Sequence, residues 1–180
     1  NKFHQIKYMK SIKYFIQFIV IIFFFLIFKI FGFKLSSNIS SKTLKILGPF
    51  FRSKKLIQKN ILKALPNLDN KEIEKIIKKM WSNYGRILSE YIFIKQFKNS
   101  KTGFKIEVIG QEILDKIKIN QEPVIFISGH FNNFELMAMH IEKSGVDLAA
   151  IYRPLNNNFL NPLMENIRKK YICRKQIKKG

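Results

Sequence analysis

Cysteine, histidine, arginine and acidic residues are all scarce in this chain, and each shortage removes a class of explanation. The single cysteine, Cys173, excludes an intrachain disulfide and fits a reducing compartment. Of the three histidines, two flank Glu135 evenly (His130 and His140), but this is not the two-histidine, four-apart spacing of a zinc helix, so no metal site is expected. Twelve acidic residues against 33 basic ones leave a formal charge of +21. Such an excess favours anionic partners: nucleic acid, an acidic membrane surface or a phosphorylated substrate. Only five of the basic residues are arginine. A nucleic-acid groove interleaves aromatics with arginine on an exposed face; that pattern is missing, so no nucleic-acid partner is expected. Internal repeats and low-complexity linkers are also missing. The 180 residues suffice for one modest domain. There is no initiator methionine, and Ile177-Lys178-Lys179-Gly180 closes no obvious element, so the expectation is part of a longer protein.

What the chain has in abundance is apolar sequence near its start. Tyr14 to Phe28 carries no charge; Lys29 interrupts, and Ile30 to Phe33 extends the run. The total is about 20 residues, roughly what a helix needs to cross a bilayer. Lys29 can snorkel to the interface. Lys2, Lys7, Lys10 and Lys13 precede the run, and a signal peptide shares that layout, but no small-x-small cleavage site follows Phe33. A retained anchor is expected over residues 1–35, ahead of a catalytic portion over 36–180; a cleaved signal and a buried core helix are the alternatives. Lysines on both flanks leave the orientation open on charge alone.

Beyond the anchor, Leu44 to Leu65 is basic and amphipathic, broken by Gly48-Pro49 and ended by Pro66. Asp69 and Glu72 form a capping-box start. Behind it, apolar residues from Ile73 to Ile92 recur at helical spacing for about five turns. From Lys105 the period changes. Strands are expected over 106–109, 124–128 and 148–152, with helices over 111–117, 134–143 and 162–171 and a further strand starting near Ile172. Strands alternating with helices predict an α/β fold with a mostly parallel sheet flanked by helices.

The segment "PVIFISGHFNNFELM" (123–137) concentrates the chemistry. A strand apolar on both faces ends at Gly129, where the backbone can turn, and His130 follows. Active sites in open parallel sheets gather beyond the carboxyl ends of the strands. Glu135 falls in the first turn of the next helix, where the dipole favours a carboxylate. A carboxylate bonded to one ring nitrogen fixes the tautomer and raises the basicity of the other. With no serine or cysteine partner in the segment, the pair suits a general base acting on a substrate hydroxyl. His140, on the following helix, is expected to be structural.

His-x-x-x-x-Glu resembles the signature of glycerolipid-type acyltransferases. "SGHFNNFE" is similar to the histidine block of the lipid A biosynthesis acyltransferases, the late lauroyl and myristoyl transferases of Gram-negative bacteria. "MWSNYGRILSEY", "NILKALPNLDNKEIEKI", "IYRPLNNNFLNPLMENIRKKY" and the N-terminal apolar helix resemble further family segments in order and spacing. Two departures are Asn132, where a small residue is common, and Phe134, where tryptophan is common. The resemblance implies a glycerolipid-acyltransferase-like fold whose C-terminal part lies beyond this sequence, so that the 180-residue chain alone would be inactive. It implies acyl carrier protein as thioester donor and a phosphorylated lipid A precursor as acceptor, at the cytoplasmic side of the bacterial inner membrane, with no cofactor. His130 and Glu135 would be catalytic. Backbone amides at 131–133 and Arg153 could face the developing oxyanion, and Arg153 and Arg168 could bind substrate. Arg86 and Glu90 are expected to pair structurally. Two competing readings are another membrane acyltransferase acting on glycerolipids or lysophospholipids, and a basic membrane-surface binding protein. The latter would have no use for a strand-end histidine with an ordered carboxylate.

Overall fold

The computed structural model describes residues 2–99 and 106–179. The elements run α1 (Lys2–Leu47), α2 (Lys54–Ala64), α3 (Asn70–Glu90), α4 (Ile94–Asn99), α5 (Gln111–Asn120), α6 (Glu135–Lys143), β1 (Ala149–Tyr152), α7 (Leu160–Tyr171) and β2 (Lys175–Lys178). The chain divides into two compact units, residues 25–93 and residues 1–24 with 94–180.

The first unit is helical. Asp69 Oδ1 accepts from Glu72 N, and Glu72 Oε2 accepts from Asp69 N, so the expected capping box opens α3. The apolar stripe of α3 (Ile73, Ile77 and Trp81) packs with Ile57 of α2 into one core. Gly32 takes φ 74° and ψ 170°, which breaks the helical path inside α1. Ser36 Oγ donates across the break to Phe28 O at 2.7 Å. Past it, Ser36, Ser37, Ser40 and Ser41 form a buried small-residue face. The chain comes so close to α3 there that a Cβ on Gly85 would meet Ser40 O at 2.3 Å. Ser40 Oγ donates to Gly85 O at 2.6 Å, and Ser41 Oγ shares a hydrogen bond with Ser82 Oγ. Arg86 Nη1 donates to Ser37 Oγ and Asn38 Oδ1.

The second unit holds the sheet. β1 and β2 pair in parallel with Ala149 opposite Lys175 and Tyr152 opposite Lys178, and α7 makes the crossover. Met139 and Ile141 from α6, Met164 from α7, and Ile172 and Cys173 are buried in this unit, with Ile94 and Phe97 of α4. Asn157 caps α7: its Oδ1 accepts from Phe159 N and Leu160 N, while its Nδ2 donates to Tyr14 O of α1 at 2.8 Å. Phe159 packs edge-on against Phe15.

Two of the expected strands require correction. Residues 106–109 and 124–128 join no ladder. Ile125 and Ile127 are 87% and 92% exposed. Apolar, β-branched composition favours extended backbone, but a strand exists only through a partner's hydrogen bonds. The one described ladder joins β1 to β2, and the 124–128 segment is not laid against it. The sheet is therefore smaller, and the protein more helical, than the alternation of periods implied. The β1 strand, the helices at 111, 134 and 162, and a strand after Ile172 all form, with no end shifted by more than three residues.

Candidate active site

Glu135 is the first residue of α6, and its side chain is only 7% exposed. A buried carboxylate needs a charged or hydrogen-bonding partner. Arg168 of α7 supplies it: Nε donates to Glu135 Oε1 at 2.9 Å and Nη2 reaches the same oxygen at 2.8 Å. The other oxygen, Oε2, is buried with no hydrogen-bond partner among the described residues.

His130 is exposed five residues earlier, on the turn before α6. Its ring packs on Phe134, with centroids 4.2 Å apart and planes at 55°. The turn passes through Asn132 at φ 47°, a left-handed conformation that asparagine tolerates better than most side chains. Leu136 N donates to Asn133 O and Met137 N to Phe134 O, which starts α6. His130 and Glu135 thus share one short turn. In this conformation the carboxylate is engaged by Arg168 and the imidazole by an aromatic ring. Arg153 is exposed one residue past the carboxyl end of β1. His140 is tied instead into a packing contact, with Nε2 2.6 Å from Gln111 Oε1. Among the described residues no group of three or more His, Cys, Asp or Glu side chains could hold a metal ion.

A polar brace that sequence reading did not find lies beside Arg168. The guanidinium sits 6.0 Å from the centroid of the Tyr152 ring. Tyr152 Oη donates to Glu165 Oε1 at 2.5 Å, and Asn161 Nδ2 donates to the same oxygen at 2.8 Å. Lys178 Nζ lies 3.6 Å from it. Burial first, and then the Glu165 carboxylate, push the Tyr152 phenol up to about 12. The hydrogen bonds from Tyr152 and Asn161 hold Glu165 below its ordinary value. Asn161 and Glu165 are four apart on α7, a spacing visible in the sequence, but Tyr152 and Lys178 reach them only through the β1–β2 pairing.

The profile of the bacterial lipid A biosynthesis acyltransferases matches residues 3–174. The chain belongs to that family. Neither a curated protein nor a solved structure matches it. Family membership makes the chain an acyltransferase of lipid A synthesis, acting with an acyl donor and a lipid acceptor. The apolar helix over Tyr8–Phe50 is long enough to cross a membrane, and only 6% of its most apolar window is buried within the protein, whereas a soluble core helix would be mostly covered.

Proposed function

We propose that this acyltransferase moves a fatty acyl chain from acyl carrier protein to a hydroxyl of a phosphorylated lipid A precursor, on the cytoplasmic side of the inner membrane, with His130 as general base on a glycerolipid-acyltransferase-like domain. His130 takes the proton of the acceptor hydroxyl as its oxygen attacks the thioester carbonyl. The new carbon–oxygen bond forms, the carbon–sulfur bond breaks, and the imidazolium returns the proton to the departing thiolate. Glu135 orients the imidazole and balances its charge. Backbone amides at 131–133 and Arg153 face the developing oxyanion. Arg153 and Arg168 also offer cations to the acceptor's phosphates.

The observation that carries this reading is the second oxygen of Glu135. Arg168 occupies Oε1 and fixes the carboxylate, while Oε2 is buried without a hydrogen-bond partner among the described residues, five residues along the chain from His130. A buried carboxylate oxygen with no partner is costly, and an imidazole N–H swung off Phe134 would satisfy it. Apo catalytic hydrogen bonds often close only when substrate binds.

The test is acyl transfer from carrier protein by the full-length, membrane-embedded enzyme. His130→Ala is expected to lower turnover by at least about 100-fold with folding unchanged. Glu135→Ala is expected to lose nearly as much, because members of one catalytic unit are not additive. Near-normal turnover in a folded His130→Ala protein would exclude the assignment. Transfer to a lysophospholipid but not to a lipid A precursor would overturn the acceptor.

A further inference from the structure

Between α2 and α3 lies a groove of about 530 Å³, lined by Ile61, Ala64, Leu65, Met80, Trp81 and Tyr84 among others, with Arg52 at its rim. That volume falls in the range of about 300–1,000 Å³ typical of small-molecule sites, and the lining is mostly apolar and aromatic, as such sites are. The acyl transfer chemistry described above uses none of these residues. Trp81 lines the groove and belongs to the core of its unit, yet its Nε1–H is buried without an acceptor among the described residues.

The surroundings say what kind of molecule fits. Phe50 and Phe51, immediately before Arg52, are 85% and 70% exposed, and Ile46 and Leu65 are exposed as well. Exposed apolar side chains of this size mark an interaction surface when they cluster. Lys45, Lys54, Lys55, Lys59 and Lys63 follow the same stretch of chain, and only Lys54 of these is paired with an acid, Glu74, by a described ion pair. Large apolar groups bordered by basic ones are the chemistry of a membrane interface, and the stretch lies on the same chain as a helix long enough to cross a bilayer. Trp81 and Tyr84 are residues that favour the headgroup level. Arginine, unlike the lysines around it, presents a planar fork that matches a phosphate.

We propose that the α2–α3 groove binds one anionic phospholipid of the surrounding bilayer, with an acyl chain along its apolar floor and the phosphate on Arg52. The site holds the lipid as a bound component, not as substrate, so it stands or falls independently of the His130 assignment.

Trp81 is the only tryptophan in the chain, so intrinsic fluorescence reports from the groove itself. The full protein is reconstituted in phosphatidylcholine vesicles containing a minor fraction of lipid brominated on its acyl chains, either phosphatidylglycerol or phosphatidylcholine. Brominated phosphatidylglycerol is expected to occupy the groove about fivefold better at equal fraction, the ratio that corresponds to about 1 kcal/mol for one basic residue at an anionic surface. Arg52→Glu should abolish that preference. Ala64→Phe, which fills the groove, should reduce quenching by both lipids, with helicity by circular dichroism unchanged in either variant. Equal quenching by the two lipids in the unaltered protein, no quenching by either, or a preference that survives both substitutions would overturn the proposal.

Discussion

At the scale of single residues, the pair Glu135–Arg168 is the costliest feature of the site. With side-chain exposures of 7% and 16%, both charges are largely out of water. Removing one partner of such a pair leaves the other buried and uncompensated, at a cost of about 3–5 kcal/mol, whereas removing both is far milder. Arg168→Ala is therefore expected to destabilise the protein by that order, and Glu135→Leu added to it to recover part of the loss, read by denaturant unfolding in detergent. If the double variant were no more stable than Arg168→Ala alone, the ion pair would not be what holds Glu135 in place. The neighbouring Tyr152 gives a second residue-scale prediction. Its phenol titrates near 10 when free and is pushed up to about 12 in the fold. The folded protein thus holds this proton more tightly than the unfolded chain. The resulting stabilisation is complete below pH 10 and is lost as the pH rises through about 12. Glu165 works in the opposite sense: its lowered value contributes stability above the ordinary carboxylate range that is lost on acidification. Tyr152→Phe should therefore lie closest to the unaltered protein in strong alkali and fall further behind as the pH drops towards 10. A constant gap across that window would argue against the Tyr152–Glu165 bond.

At the scale of elements, the contact between the serine face of α1 and α3 depends on one missing methyl group. A Cβ on Gly85 would sit 2.3 Å from Ser40 O and 2.8 Å from Ser41 Cα, both backbone atoms that cannot swing aside. Gly85→Ala removes a residue that costs about 1 kcal/mol in a helix, so propensity alone predicts stabilisation. The steric clash predicts the reverse, a loss of about 1–3 kcal/mol from overpacking, and it should win because the whole backbone must shift. Thermal unfolding of Gly85→Ala decides between them. Gly85 is buried on α3, and the element that approaches it, the serine face of α1, lies 45 residues away and cannot be read from a pattern within one helix. The capping box at Asp69 and the stripe from Ile73 to Trp81 were fully legible, because both are local patterns within one helix. The strand over 124–128 was not: its apolar residues specify extended chain, while the ladder it would need depends on neighbours distant in sequence.

At the scale of the whole molecule, the charge of +21 and the apolar N-terminal helix are both suited to a membrane with an anionic surface. Deleting residues 1–33 removes the segment able to span a bilayer and, with it, Tyr14 O, which accepts from Asn157. The basic, apolar chain beyond it is expected to keep some affinity for an anionic surface. The shortened protein is expected to remain partly with membranes but to be stripped by high salt, which screens surface charge. The intact protein should resist the same wash. Equal extraction of both forms would refute a spanning anchor.

The sequence by itself determined the long apolar N-terminal helix, the capped central helix, the helices that start near 111, 134 and 162, and the closeness of His130 to Glu135 along the chain, since all of these rest on spacing within a few turns of chain. It also carried the family resemblance that the profile match over residues 3–174 bears out. Only the tertiary structure decided that Arg168 engages Glu135, that Tyr152 and Glu165 brace the same helix, that a groove opens between α2 and α3, and that 124–128 stands outside the sheet. The physical reason is common to all four. Ion pairs, cavities and ladders are made between segments far apart in sequence, and their partners are chosen by packing and desolvation, which no local pattern encodes.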